Sequence, residues 1–436
     1  MAVVLAHGVG SRSDLPIPLE LALYSAGMAV LVSFAALVVL WRRARFTDGR
    51  SDGLALPARV QAVVDSPTAR RLAQGVALAV AVLVTAVAFV GPPQTSDNLA
   101  PYVVYVTLWV GLVPASLLLG PVWRVVNPLR LLHRLLIVPT GTPPRPDMVD
   151  RLGYWPAAAS LTVFVWLELV YPERTDPRTV GAFLVVYACV QLSASLWFGE
   201  RWFSRGDAFE VYSALLGRLS PLGRRDDGRL ALRNPLRNTA TLPEEHGLAA
   251  VAIVLVGSTG FDGLSRTTFW TQGPGAANDT LSGTLGLLTM IGLAAVLYAG
   301  AAAANGLLAR QRPLAQPSRY AHSLLPIAAG YAIAHYFSLL LLDGQATWIL
   351  ASNPLGRDGV DLFGTYGNAV DYTLLSTGTI AYVQVGAIVL GHVLGVVLAH
   401  DAALRAQARS RPAEQLPLVA AMIAFTVGGL ALLFSA

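Results

Sequence analysis

Apolar residues run along this chain in blocks of about 20, the length at which an α-helix crosses roughly 30 Å of hydrocarbon, and short polar stretches separate them. The blocks predict helices over Leu19 to Trp41, Leu72 to Val90, Tyr102 to Leu119, Trp155 to Tyr171 and Val180 to Phe198. Five more are predicted over Leu248 to Leu264, Leu281 to Leu308, Tyr320 to Leu342, Thr377 to Ala399 and Leu416 to Phe434. That is about ten crossings. The expected fold is all-α, a polytopic transmembrane helix bundle that makes residues 1–436 one integral membrane domain.

Arginine sets the expected orientation, because short Arg-rich loops stay cytoplasmic. Loops after the odd-numbered spans hold Arg42, Arg43, Arg45, Arg124, Arg130, Arg134, Arg201, Arg205, Arg224, Arg225, Arg310, Arg312, Arg405 and Arg409, whereas the alternate loops hold few. Both termini are therefore expected to be extracytoplasmic. Residues 1–18 form an external arm, whose apolar run is too short for a signal peptide, and residues 343–376 an external loop.

The longest cytoplasmic loop, 200–246, has two parts. Within "SRGDAFEVYSALLGRLSPLG" the residues Phe209, Tyr212, Leu215, Leu216 and Leu219 recur at helical spacing, and Asp207 with Glu210 has the form of a capping box. This predicts an amphipathic helix in the membrane interface, or else a docking surface for a partner. "RRDDGRLALRNPLRNT" has mixed charge and no period, and is expected to be a solvated loop. "NPLR" occurs at Asn127–Arg130 and Asn234–Arg237, too short a match to define a repeat.

Composition agrees with the pattern: 54% of residues are hydrophobic, 13% are charged, and the mean hydropathy is +0.56. No large soluble domain is left over. A single cysteine, Cys189, excludes an intrachain disulfide, a thiolate zinc cluster and a CxxC pair. The basic residues are all Arg, and the net charge of +5 is explained by membrane orientation rather than by nucleic acid. The lipid bilayer is thus the expected partner, with a small apolar or polar solute the further candidate.

Ionisable and polar groups inside apolar spans are costly, which makes each a candidate. His335 lies well inside the eighth span and His392 inside the ninth, beside Gln384 and a Gly391-x3-Gly395 pattern suited to close helix packing. A polar chain from Tyr331, His335 and Tyr336 to Tyr382 and Gln384 is expected between these two spans, as interhelical bonding or as a site. Pro326 and Gly330 predict a kink in the eighth span and a cavity beside it. The other histidines, His133, His246, His322 and His400, are expected to meet water or headgroups.

On the external side Glu20, Glu168 and Asp262, with His7, Asp14, Arg266 and His335, form a set that could converge on one cleft holding a divalent metal ion, a proton or a polar solute. HExxH, GxSxG, GxxxxGK[ST] and CxxCH motifs are absent. A bis-histidine haem is disfavoured, since His335 and His392 differ in expected depth by about 10 Å at 1.5 Å per residue.

"LAHGVGSRSDLPIP", "WRVVNPLRLL", "WFGERWFSRGDAFEVYSALLGRLSP", "HSLLPIAAGYAIAHYFSLLLLDGQ" and "YVQVGAIVLGHVLGVVLAHD" resemble, in order and over nearly the whole chain, the polytopic bacterial membrane proteins catalogued as fenitrothion hydrolases. The resemblance implies a multi-pass protein of the bacterial cytoplasmic (inner) membrane that hydrolyses an organophosphorus triester. Such hydrolysis generally needs an activated water and an electrophilic clamp on the phosphoryl oxygen. The external set offers one metal ion held by His7, His335 and a carboxylate of Asp14, Glu168 or Asp262, with Arg266 as clamp; Arg266 and Glu168 are the candidate catalytic residues. Two alternatives stay open: a proton- or metal-coupled transporter in which Glu168, Asp262, His335 and Gln384 line a pathway, and a non-catalytic membrane assembly subunit.

Overall fold

A computed structural model describes residues 17–46, 53–138, 145–407 and 411–435. The external arm with His7 and Asp14 lies outside the described residues. In chain order the helices used below are α1 (Leu19–Leu40), α2 (Ala58–Asp65), α3 (Pro67–Val90), α4 (Leu99–Leu119), α5 (Pro128–Leu132), α6 (Trp155–Leu169) and α7 (Pro177–Phe198). They continue with α8 (Ala208–Leu216), α9 (Leu248–Ser265), α10 (Thr280–Leu308), α11 (Leu324–Leu342), α12 (Thr377–Ala406) and α13 (Pro412–Leu433).

The fold is an all-α polytopic helix bundle, and nine helical segments among the described residues are long and apolar enough to cross a membrane. The tenth expected crossing, α6, has only 15 residues, about 22 Å of helix. It begins after Gly153, which turns at φ +57°, and ends just before Pro172, so turn residues at both ends shorten it.

The chain forms two compact units. Of the described residues, one comprises those within 53–233 and 336–375, and the other those within 17–46, 234–335 and 376–435. α11 passes from the second into the first between His335 and Tyr336.

In the first unit, α8 differs from its expected form. Every residue of it except Ala214 is buried, so it has no wetted face. Tyr212 stacks on Trp109 of α4 with ring centroids 4.7 Å apart, and Phe209 meets Phe164 of α6 edge-on at 5.0 Å. The capping box is half formed: Asp207 Oδ1 accepts from the backbone N–H groups of Phe209 and Glu210, while the Glu210 side chain turns away to a different partner.

The stretch expected as a solvated loop contains a hairpin instead. β1 (Leu54–Ala55), β2 (Leu222–Arg224) and β3 (Leu230–Leu232) form an antiparallel sheet in the order β1-β3-β2, with Leu222 opposite Leu232 and Leu54 opposite Leu232 on the other side. Gly228, at φ +79°, makes the turn, and the Asp227-Gly228 pair was its signal in the sequence.

In the second unit, α11 is continuous helix through Pro326 and Gly330, so the backbone is not unwound there. Pro326 sits in the first turn, where no intrahelical N–H bond is lost. Gly330 serves the crossing with α12: a Cβ there would lie 2.5 Å from the Ala387 carbonyl oxygen, and one on Gly391 would lie 2.6 Å from that of Pro326. The glycines bring the two backbones together, as the Gly391-x3-Gly395 pattern suggests.

Three histidines expected in water or headgroups, His133, His322 and His400, are buried, and His246 is exposed. His400 lies between the Gln415 side chain at 2.8 Å and the Trp41 carbonyl at 3.0 Å. Next to it, buried Asp401 accepts from Trp41 Nε1 and the backbone N–H groups of Arg45 and Phe46, anchoring the chain as it leaves α1. The reason is local: the turn exposes N–H donors, and a carboxylate on α12 satisfies them.

Candidate functional site

The first unit contains a cavity of about 830 Å³ between α3, α4 and α7. Small residues make the room: Ala77 and Ala81 on α3, Gly111 and Ala115 on α4, and Ala188 on α7 all line it. The α4 wall is a π-helical stretch, Tyr102–Val110, with the Gly111 N–H reaching back to the Val106 carbonyl. Pro114, four residues after Val110, cannot donate to the Val110 carbonyl. Val80, Val82, Phe89 and Val185 also line the cavity and are exposed, so it opens along an apolar surface.

One end of this apolar hollow is polar. Asp207 reaches the wall, beside Tyr187, Phe209 and Trp123. Its Oδ1 accepts from the Tyr187 hydroxyl at 2.8 Å and its Oδ2 from Asn127 Nδ2 at 2.8 Å. Behind it, Glu210 accepts from Asn127 at 3.1 Å and forms a two-point ion pair with Arg130 on α5. Arg130 also donates to Glu200 at 2.9 Å, and Arg134 donates to the same Glu200 oxygen at 2.9 Å and to Gln74 at 3.2 Å. His133 Nδ1 lies 3.0 Å from Ser195 Oγ.

Helix starts position these groups. Asn127 caps α5 by accepting from the Leu129 N–H, with Pro128 at the first helical position, and Asp207 caps α8. The second "NPLR" repeats this local form in its own unit, where Asn234 accepts from the Leu236 N–H.

Burial shapes the electrostatics. It pushes the Asp207 carboxyl up to about 6, and the neighbouring Glu210 carboxylate adds to the effect against the hydrogen bonds from Tyr187 and Asn127. Burial also opposes the Arg130 charge, but Glu210 and Glu200 outweigh it and hold Arg130 above its usual value. His133 is lowered, first by burial and then by Arg130 and Arg134, with Glu200 opposing. With Asp207 ionised, the carboxylates of Asp207, Glu210 and Glu200 face the guanidinium groups of Arg130 and Arg134, a balance of one negative charge.

The residues singled out from the sequence are distributed otherwise. Glu168 is buried on α6 of the first unit, and Asp262, Arg266 and His335 belong to the second. Arg266 donates to Asp262 Oδ1 one turn back along α9, Nη2 at 3.0 Å and Nε at 3.3 Å, so it is held as a local ion pair rather than as a clamp. His335 and Gln384 are buried, whereas Tyr382 is exposed. Tyr331 meets His392 edge-on, with ring centroids 5.7 Å apart, and donates its hydroxyl to the Phe425 carbonyl of α13. His392 donates Nδ1–H to the Ile388 carbonyl at 2.8 Å, the arrangement of a packed core histidine.

Among the described residues no group of three or more His, Cys, Asp or Glu side chains could hold a metal ion; His7 and Asp14 of the expected metal set lie outside those residues. The network around Asp207 was not among the sequence candidates because its arginines read as an orientation signal. Asp207 and Glu210 inside an otherwise apolar helix were the available clue. No family model, curated protein or solved structure matches this chain.

Proposed function

We propose that this multi-pass membrane protein takes a lipophilic molecule from the bilayer into the cavity of its first unit and holds it with its reactive or polar end toward Asp207. The observation that carries this reading is the large, open hollow with almost wholly apolar walls, built from helices of membrane-spanning length and ending on a buried polar network. Cavities of that size accept drug-sized ligands, and an apolar one open to lipid has no need of an aqueous route. A bacterial cytoplasmic membrane is the setting supported by the arginine distribution and by the family resemblance.

The test is binding of the fluorescent lipophile diphenylhexatriene to purified protein, compared with Ala81→Trp and Ala188→Trp, which place an indole in the hollow. Saturable binding by the wild type that both variants weaken at least tenfold is expected; equal binding by all three removes the reading. Nitrophenol release from an aryl phosphotriester, sensitive to the same variants, would add the hydrolysis that the resemblance implies. Variant-sensitive flux into proteoliposomes would add transport.

A further inference from the structure

The cavity wall and the charge balance behind it point to the class of ligand. Asp207 is fully buried, yet it lines the hollow, and among the described residues its Oδ2 has one hydrogen-bond donor, Asn127, where a carboxylate oxygen has room for two. Glu210 is matched by Arg130, and Glu200 is shared by Arg130 and Arg134. The negative charge left over therefore sits on the group that meets the cavity. The N-terminus of α8 offsets only about half a charge. An unbalanced carboxylate in apolar surroundings is costly and is relieved by a proton or by a cation. Three aromatic rings, of Tyr187, Phe209 and Trp123, share this wall, and aromatic faces attract cations.

We propose that the first-unit cavity selects lipophilic cations, organic ammonium or phosphonium ions with apolar arms, using the Asp207 carboxylate as counter-charge and the rings of Tyr187, Phe209 and Trp123 as the surrounding surface. This rests on the reading of the cavity as a lipophile site. Cation and proton compete for one carboxylate. The groups facing Asp207 are Glu210 on α8, Tyr187 on α7, and Asn127 and Arg130 at the start of α5, with Glu200, Arg134 and His133 behind them. Burial raises the Asp207 carboxyl to about 6, so Asp207 changes charge between pH 7.5 and 5.

The experiment uses the full-length protein in detergent with bound diphenylhexatriene, displaced by tetraphenylphosphonium or by tetraphenylborate, ions of the same shape and opposite charge. Tetraphenylphosphonium is expected to displace the dye at pH 7.5, to weaken about tenfold at pH 5, and to weaken at least tenfold in Asp207→Asn, which retains a good helix cap. Tetraphenylborate is expected to displace poorly at either pH. Equal displacement by the two ions in the wild type overturns the proposal while leaving the cavity reading in place, and this comparison needs no variant. So does an unchanged phosphonium affinity in Asp207→Asn. If the dye itself does not bind, the cavity reading fails and the proposal with it.

Discussion

Arg130 and Glu210, 80 residues apart in the sequence, meet in the protein interior as a two-point ion pair, Nε to Oε2 at 2.7 Å and Nη2 to Oε1 at 2.6 Å. Both side chains are almost wholly buried. The planar fork of an arginine matches a carboxylate in this way and joins α5 to α8 directly under the cavity.

Removing one partner of such a pair leaves a buried charge without its counterpart. Arg130→Met and Glu210→Met are each expected to cost about 3–5 kcal/mol, whereas the two together should cost much less than the sum. Thermal unfolding of the purified variants checks this. Additive losses would mean that the pair is not energetically coupled.

Asp207 gives a pH dependence whose sign follows from its raised carboxyl. Below the ordinary value of 3.8 both folded and unfolded states are protonated; between that value and about 6 the folded state holds the extra proton. Its contribution is therefore most favourable at low pH and is lost as pH rises through about 6, by at most about 3 kcal/mol. The melting temperature of the wild type should fall between pH 5 and 7.5 more than that of Asp207→Asn. Parallel pH profiles would show that Asp207 is not the titrating group.

The crossing of α11 and α12 predicts a contrast between glycines on one helix. Gly391→Ala puts a methyl 2.6 Å from the Pro326 carbonyl oxygen and should destabilise by about 1–3 kcal/mol, whereas Gly386→Ala meets nothing within 4 Å and should be neutral or slightly stabilising. Gly330→Ala should resemble Gly391→Ala. Melting temperatures in one detergent distinguish the three.

Tyr331 and Gly429 form a second steric pair, because a Cβ on Gly429 would collide with the Tyr331 hydroxyl. Gly429→Ala is expected to destabilise, Tyr331→Phe to cost about 1 kcal/mol for the bond to the Phe425 carbonyl, and the double variant to be only partly relieved relative to Gly429→Ala, because the added methyl still meets the ring carbons at position 331. A double variant worse than either single one would contradict the packing described.

The expected helices were legible because lipid leaves one solution for an apolar run: a helix that satisfies its own backbone. α10 was predicted as Leu281 to Leu308 and forms over Thr280–Leu308; α12 extends beyond its apolar stretch to Ala406 because Arg405 finds the Ala240 carbonyl at 2.8 Å. The site was less legible. Asp262 and Arg266 stood out as external charges, but four residues apart on one helix they are neighbours, and they pair with each other. Arg130 and Glu210 drew no notice as a pair, since nothing in their spacing says that two loops flanking different spans will meet.

By itself the sequence determined that this is a membrane protein of many apolar helices, where its small residues permit close crossings, and where Asn and Asp start helices, because burial cost, side-chain size and capping act over a few residues. Only the tertiary structure decided that α8 is enclosed, that α11 stays helical through Pro326, and that Asp207 and Tyr187, which line an apolar hollow, gather with Asn127, Glu210 and Arg130. Those outcomes depend on which distant segments share space, and a charge inside a protein is stable only beside partners that the local sequence does not name.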